Sequence, residues 1–145
     1  MQYYITLADG TRVLADGAGV VDNVEIITTN KTLTVEDSGK TFMVATDALV
    51  VTLPSTIKGL EYTFMNSGAD ANNIITVSPA TADGVAGTIT LASSVVELSG
   101  VVNKDLVNTK ASSISGDTCT IVGTGTAGVT AWLAKSSTGI WASEA

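Results

Sequence analysis

The chain has 145 residues, of which 45% are hydrophobic and only 14% are charged, so we expect one folded domain rather than a disordered chain. Fourteen acidic residues against seven basic ones give a net charge of −7, which argues against nucleic-acid binding, because Lys and Arg contacts to phosphates supply most of that affinity. The chain contains no histidine and one cysteine, Cys119, which excludes histidine-based catalysis, an intramolecular disulfide and a cysteine-based zinc cluster.

Beta-branched residues are abundant in the chain, which contains 17 Val, 10 Ile and 22 Thr. Beta-branched side chains fit a pleated, half-buried sheet better than a helix. A helical domain would also carry more charged residues on its solvent faces. We therefore predict an all-β protein whose exterior is covered by Ser, Thr, Asn and Gly.

Residues 1–28 differ from the rest of the chain. Two short strand-like runs, 3–7 and 12–14, alternate with turns at 8–10 and 16–19 that contain Asp-Gly pairs. This segment is too small to hold a core, so it is predicted to form an extended arm or hairpin. Its apolar and aromatic residues are the predicted interface residues, Tyr3, Tyr4, Ile5, Leu7, Val13 and Leu14.

Residues 29–145 carry strand signals every 8–12 residues, the spacing of a sandwich or barrel. We predict a β-sandwich or barrel in which Phe42 and Val44 share one face, and Tyr62 and Phe64 point into the core. For 101–111 the pattern leaves a helix and a surface loop equally open. The predicted strands are 32–35, 40–45, 49–53, 60–65, 74–77, 88–91, 95–98, 117–122, 129–135 and 140–141.

The segment 123–128 matches G-x-G-x-x-G, the dinucleotide-binding pattern. That motif requires a helix after the glycines and an acidic residue about 20 positions later. Residues 129–133 instead have a strand pattern, and the chain ends before such an acidic residue. The glycines therefore predict a hairpin turn and no bound cofactor.

The carboxylates offer little sign of catalysis or metal binding. Several Asp residues lie beside glycines, where a short acceptor side chain stabilises a turn. The 70–73 cluster lacks the spacing of a calcium loop. We expect a protein that is not an enzyme and holds no metal. The turn residues are Asp9, Asp16, Asp37, Asp83 and Asp117, and the strand-associated ones are Glu25, Glu36, Glu61 and Glu97.

The aromatic residues could stack sugars, but seven are few for a glycan-binding module. Trp132 is expected in the core or at a subunit interface, and Trp141 at an inter-subunit contact, because large apolar rings concentrate in both places. The start of the sequence has no signal-peptide pattern, and no apolar run reaches the about 20 residues that cross a bilayer. We expect synthesis in a cytoplasm, with Cys119 reduced and no membrane partner.

Several segments in 30–145 resemble small structural proteins of tailed bacteriophages. They are a TLT-x-x-DSGK-x-F turn at 32–42, a Leu-Pro strand end at 53–54, a G-x-x-Y-x-F strand at 59–64, a strand at 74–77 and a final Gly-Ile-Trp at 139–141. The resemblance implies a jelly-roll-like antiparallel β-sandwich or barrel and the role of a capsid decoration (cement) protein, often trimeric. Such a protein is made in the host bacterial cytoplasm and binds the major capsid protein on the outer capsid surface. A head-fibre or tail-fibre module that binds receptors or glycans is the alternative.

Overall fold

The computed structural model describes residues 4–6, 8–10, 12–14, 23–91 and 94–144. These residues form fourteen strands and two 3₁₀ helices, Val35–Asp37 and Lys110–Ser112, and contain no α-helix, which confirms the all-β prediction. The strands are β1 Tyr4–Thr6, β2 Arg12–Leu14, β3 Val24–Ile27, β4 Lys31–Thr32, β5 Thr41–Val44, β6 Leu49–Thr52, β7 Glu61–Asn66, β8 Ile75–Ser78, β9 Asp83–Leu91, β10 Ser94–Ser99, β11 Leu106–Asn108, β12 Thr118–Gly123, β13 Gly128–Thr138 and β14 Trp141–Ser143.

Two sheets pack together around one core. The seven-stranded sheet has the order β10-β9-β13-β12-β7-β5-β3, and the five-stranded sheet has the order β14-β11-β8-β6-β4. Among the described strands, β1 and β2 form a separate two-stranded sheet. The buried hydrophobic side chains of both sheets form a single cluster, so the described body is a β-sandwich.

From β3 to β8 the chain alternates between the two sheets, and neighbouring strands within each sheet run parallel. Strands β3, β5 and β7 pair in parallel, as do β4, β6 and β8. The chain thus makes three successive turns of a coil, which we call coil 1 (β3 and β4), coil 2 (β5 and β6) and coil 3 (β7 and β8). The antiparallel prediction is wrong for this half, because side-chain alternation predicts the buried face and not the strand direction. Jelly-roll connectivity is not confirmed.

The alternating positions of these strands form inward-facing rows across the seven-stranded sheet. Phe42 of β5 lies in register with Phe64 of β7, which lies in register with Cys119 of β12, and all three are fully buried. The Phe42 and Phe64 rings stack with their centroids 6.1 Å apart, and Tyr62 lies 5.6 Å from Trp132. The predicted core positions of Tyr62 and Phe64 are therefore confirmed, and Phe42 and Val44, predicted to share one face, are both buried.

The structure corrects three boundaries. The predicted arm ended at residue 28, but β3 pairs with β5 at the edge of the seven-stranded sheet, so the sandwich already includes Val24–Ile27. The predicted strand 32–35 ends at Thr32, and a 3₁₀ helix follows at Val35–Asp37. Within 101–111, the strand β11 lies between β8 and β14. Its three residues are too few to show a strand period in the sequence.

Candidate functional site

The predicted arm residues come together in the β1–β2 pair. Tyr4 lies opposite Leu14, and Ile5 lies opposite Val13, in an antiparallel hairpin. Tyr3 and Leu7 lie outside the described residues. The hairpin itself agrees with the sequence pattern, and its role at an interface stays a prediction.

Trp141 is a core residue, which corrects its predicted role at an inter-subunit contact. Its side chain is fully buried within the chain, and its indole Nε1 donates a hydrogen bond to the carbonyl of Thr138 at 3.0 Å. Strand β14 pairs with β11, and this pairing places Trp141 opposite the buried Asn108. Trp132 is also fully buried, so neither indole can stack on a sugar at the surface.

The glycine-rich segment 123–128 is the β12–β13 hairpin turn, as predicted. Strand β12 ends at Gly123 and β13 begins at Gly128, and no helix follows. The Thr124 hydroxyl donates to the carbonyl of Thr130 at 2.9 Å and so closes the turn with a side chain. The backbone at Gly125 has a φ of 81°, which glycine adopts without strain.

Three buried aspartates of the sandwich accept hydrogen bonds from backbone N–H groups, Asp37 and Asp117 within local turns and Asp83 from a segment distant in the chain. Asp37 accepts the backbone N–H of Thr34 at 3.0 Å, and Asp83 accepts that of Thr56 at 2.8 Å. Asp117 accepts the backbone N–H of Ile114 at 3.0 Å. Within the part of the chain that the structure describes, no group of three or more His, Cys, Asp or Glu residues is placed to hold a metal ion.

The 70–73 segment is likewise tied into the fold. Asp70 accepts the backbone N–H of Ser115 at 2.9 Å. Asn73 is fully buried and donates to Asn66 Oδ1 at 3.1 Å. Burial also raises the pKa of the Cys119 thiol to about 12, so this side chain is a protonated core group at neutral pH and a poor nucleophile.

Two exposed sheet surfaces carry very little charge. Alternate residues of four neighbouring strands of the seven-stranded sheet, β3, β5, β7 and β12, form the first surface, which we call the seven-strand outer face. Its most exposed large residue is Ile26, at 71%. Of these described residues only Glu61 is charged, and Lys135 pairs with it at 2.7 Å. The residues of the face are Val24, Ile26, Thr41, Met43, Glu61, Thr63, Met65, Thr118, Thr120 and Val122.

The five-strand outer face, as far as the structure describes it, has no charged residue. Its central row runs across four strands in register, from Val50 to Thr76, Val107 and Ala142. Thr32, Thr52 and Ser78 form a second row. The composition predicts a Ser- and Thr-rich exterior, but it does not show that uncharged residues from distant segments form continuous faces. Protein–protein interfaces are depleted of charged residues at their centres.

Charges are instead concentrated in a small network at coil 1, which we call the end cluster: Glu25, Lys31, Asp37 and Lys40. Lys31 Nζ lies 2.5 Å from Glu25 Oε1, and Lys40 Nζ lies 2.9 Å from Asp37 Oδ1 and 3.3 Å from Glu25 Oε2. Lys31 also lies 5.5 Å from the centroid of the Phe42 ring, within reach of a cation–π interaction.

The end cluster shifts the titration of its two carboxyl groups. The hydrogen bond from Lys31, supported by that from Lys40, lowers the pKa of Glu25. Burial raises the pKa of Asp37, but the hydrogen bonds from Lys40 and from the Thr34 backbone outweigh burial, so this pKa is also lowered overall. Both shifts mean that the folded state favours the ionised carboxylates.

We therefore expect the end cluster to contribute stability that is lost in acid. Because both pKa values are lower in the folded state, the contribution is complete above about pH 5 and disappears as the pH falls through the folded-state values. Urea unfolding from pH 7 to pH 3 would measure the decline, and Glu25→Gln should make it shallower. An identical pH profile for the variant would contradict this role of Glu25.

A scan against protein-family models and a search of curated proteins find no match to the chain. In the described residues there is no helix of the length and apolarity needed to cross a membrane. The fold and the surfaces thus define the class: an all-β sandwich of two mixed sheets with two sparsely charged outer faces.

Proposed function

We propose that the protein is a structural component of a bacteriophage virion: a capsid decoration protein that binds the outside of the major capsid protein lattice as a trimer. The observation that carries the proposal is the pair of sparsely charged outer faces in a chain with a net charge of −7. A monomer has no need to keep charge off two sheet faces, whereas a subunit of an assembly does. The resemblance of residues 30–145 to small structural phage proteins supplies the particular assembly.

The proposed mechanism is clamping, with no chemical step. A trimer that bridges several capsid subunits adds interface free energy, and internal DNA pressure must overcome that energy before the shell opens. The seven-strand outer face meets neighbouring copies, and the β1–β2 hairpin attaches to the lattice by β-augmentation, in which a strand extends a sheet of the partner. The protein is made in the host bacterial cytoplasm and ends up on the outer surface of the virion.

The glycan-binding alternative, a head-fibre or tail-fibre module, needs exposed aromatic rings around a shallow groove. Trp132 and Trp141 are buried, as is Tyr62, so the best candidates for such rings lie in the core. We therefore favour decoration. A glycan array with specific hits, together with no binding to purified capsids, would reverse this preference.

The trimer is tested at Ile26, which is 71% exposed on the seven-strand outer face. Light scattering should give the mass of three chains for the unaltered protein at micromolar concentration and of one chain for Ile26→Glu, because the variant would bury an unpaired carboxylate. The control is Val95→Glu, a residue 72% exposed on β10 at the opposite edge of the same sheet, which should stay trimeric. A single-chain mass for the unaltered protein contradicts trimerisation.

Capsid attachment is tested with purified, undecorated capsids. The full chain should co-sediment with them at a copy number that matches the three-fold positions of the lattice, and it should raise the temperature at which the shells open. A chain without residues 1–15 should remain folded and bind at least about tenfold more weakly, because the hairpin supplies the attachment. Unchanged binding would show that another surface makes the contact.

A further inference from the structure

The edge of the sandwich at coil 1 has an unusual distribution of charge. Among the strands that the structure describes, β3 is the last strand of the seven-stranded sheet, and β4 is the last strand of the five-stranded sheet at the same end. Edge strands expose unpaired backbone groups that can pair with strands of another molecule. Strands β3 and β4 both belong to coil 1, so this end of the sandwich presents two such edges.

Glu25 of β3 occupies an inward-facing position. Its neighbours Val24 and Ile26 are 45% and 71% exposed, and Glu25 lies in register with the buried Phe42 of the next strand in the sheet. The inward row of the seven-stranded sheet therefore begins with a carboxylate at the place where coils 2 and 3 carry the Phe42 and Phe64 rings.

Lys31 of β4 occupies the equivalent position in the other sheet. It lies in register with Val51, which lies in register with Val77, and both valines are fully buried. Two inward positions, one from each sheet, thus carry opposite charges, and Lys31 Nζ lies 2.5 Å from Glu25 Oε1 at the end of the core. Lys40 and Asp37 complete the network from the loop before β5.

We propose that the end cluster is a cap that prevents a second copy of this chain from adding its strands to β3 and β4. Strands added there would continue the inward rows of the two sheets. Their apolar side chains would desolvate the Glu25–Lys31 pair without replacing the hydrogen bonds that the pair makes with water. Inward-pointing charges on edge strands are a known way to block edge-to-edge association. Pairing between copies through β3 and β4 is then blocked, whereas contacts through the outer faces remain open.

The test makes the end of the coil apolar without changing the net charge. Glu25→Val/Lys31→Val removes one carboxylate and one ammonium group and continues the rows with β-branched residues. The matched control is Asp47→Val/Lys110→Val, which removes another ion pair. Asp47 lies on the loop after β5 and Lys110 in the second 3₁₀ helix, and neither belongs to coil 1. Both full-length variants are compared with the unaltered chain by light scattering across a concentration series.

We expect the coil 1 variant to associate beyond the oligomer of the unaltered chain, with an association constant raised by roughly tenfold or more, and the control to match the unaltered chain. Hydrogen exchange of the Val24–Ile27 amides should slow in the associated coil 1 variant, because those amides gain strand partners. If the valine variant does not fold, Glu25→Thr/Lys31→Thr replaces it in the same comparison.

A folded coil 1 variant with the mass of the unaltered chain overturns the proposal. A control variant that associates as strongly as the coil 1 variant also overturns it. This test is independent of the proposed function. The chain can lack capsid binding while the coil 1 variant associates as expected, and it can bind capsids while the coil 1 variant does not associate.

Discussion

Replacing Phe64 with alanine is expected to lower the free energy of unfolding by about 3–5 kcal/mol, the usual cost of removing a large buried ring. Phe64 is fully buried at the centre of the inward row, in register with Phe42 on one side and Cys119 on the other. Its ring stacks on Phe42 at a centroid distance of 6.1 Å, so the cavity would adjoin both neighbouring strands. Urea or guanidinium unfolding followed by tryptophan fluorescence would measure the loss.

The matched control is Met65→Ala, the next residue of the same strand. Met65 lies on the seven-strand outer face and is only half-buried, so its truncation should cost about 1 kcal/mol or less. Both variants shorten one side chain of β7. A larger loss of stability at Phe64 than at Met65 is therefore due to the buried inward row and not to the strand as a whole. Equal losses at the two positions would contradict the assignment of the faces. Both variants should be measured at a concentration at which the chain is monomeric, because Met65 lies on the face proposed to meet other copies and a trimer gains apparent stability with concentration.

Replacing Asn108 with alanine is expected to destabilise the fold by about 2–5 kcal/mol, because it leaves buried polar partners unsatisfied. Asn108 is fully buried and accepts a hydrogen bond from Asn66 Nδ2 at 2.9 Å. It donates to Asp117 Oδ2 at 2.9 Å and to the carbonyl of Ile140 at 3.0 Å. The network joins β11 of one sheet to β7 of the other, so its loss weakens the packing between the two sheets.

Val107→Ala is the control for this second prediction. Val107 is the preceding residue of β11, on the five-strand outer face, and makes none of these side-chain hydrogen bonds. We expect a loss of about 1 kcal/mol or less. A loss below about 1 kcal/mol for Asn108→Ala would mean that the remaining polar groups are satisfied in another way, for instance by a water molecule in the vacated space. The chemical denaturation used for Phe64 serves for both variants.

The local pattern of the sequence predicted most of the sandwich strands and much of the core. Alternation in 60–65 correctly placed Tyr62 and Phe64 inside, because a strand turns every second side chain to the same face. The glycines of 123–128 predicted a turn, since the strand pattern after them is incompatible with a nucleotide-binding helix. The antiparallel pairing of β1 with β2 also agrees with the Asp-Gly turn between them.

Other features of the candidate surfaces could not be predicted in this way. The tandem pairing of β3, β5 and β7 depends on contacts between segments about 20 residues apart, and no fixed repeat marks them. Glu25 resembles an ordinary surface residue of a strand, and its inward position follows only from its register with Phe42. A large apolar ring such as that of Trp141 suits an interface and a core equally well, and only the pairing of β14 with β11 shows that Trp141 lies in the core.

The sequence by itself determined the all-β class, the turns and the alternation of each strand, because these depend on backbone preferences and side-chain period over a few residues. Only the tertiary structure decided which strands are neighbours and in which direction they run, because pairing joins segments far apart in the chain. That pairing assembles scattered Thr, Val and Met residues into two sparsely charged faces. It also brings Glu25 and Lys31 together over the end of the core.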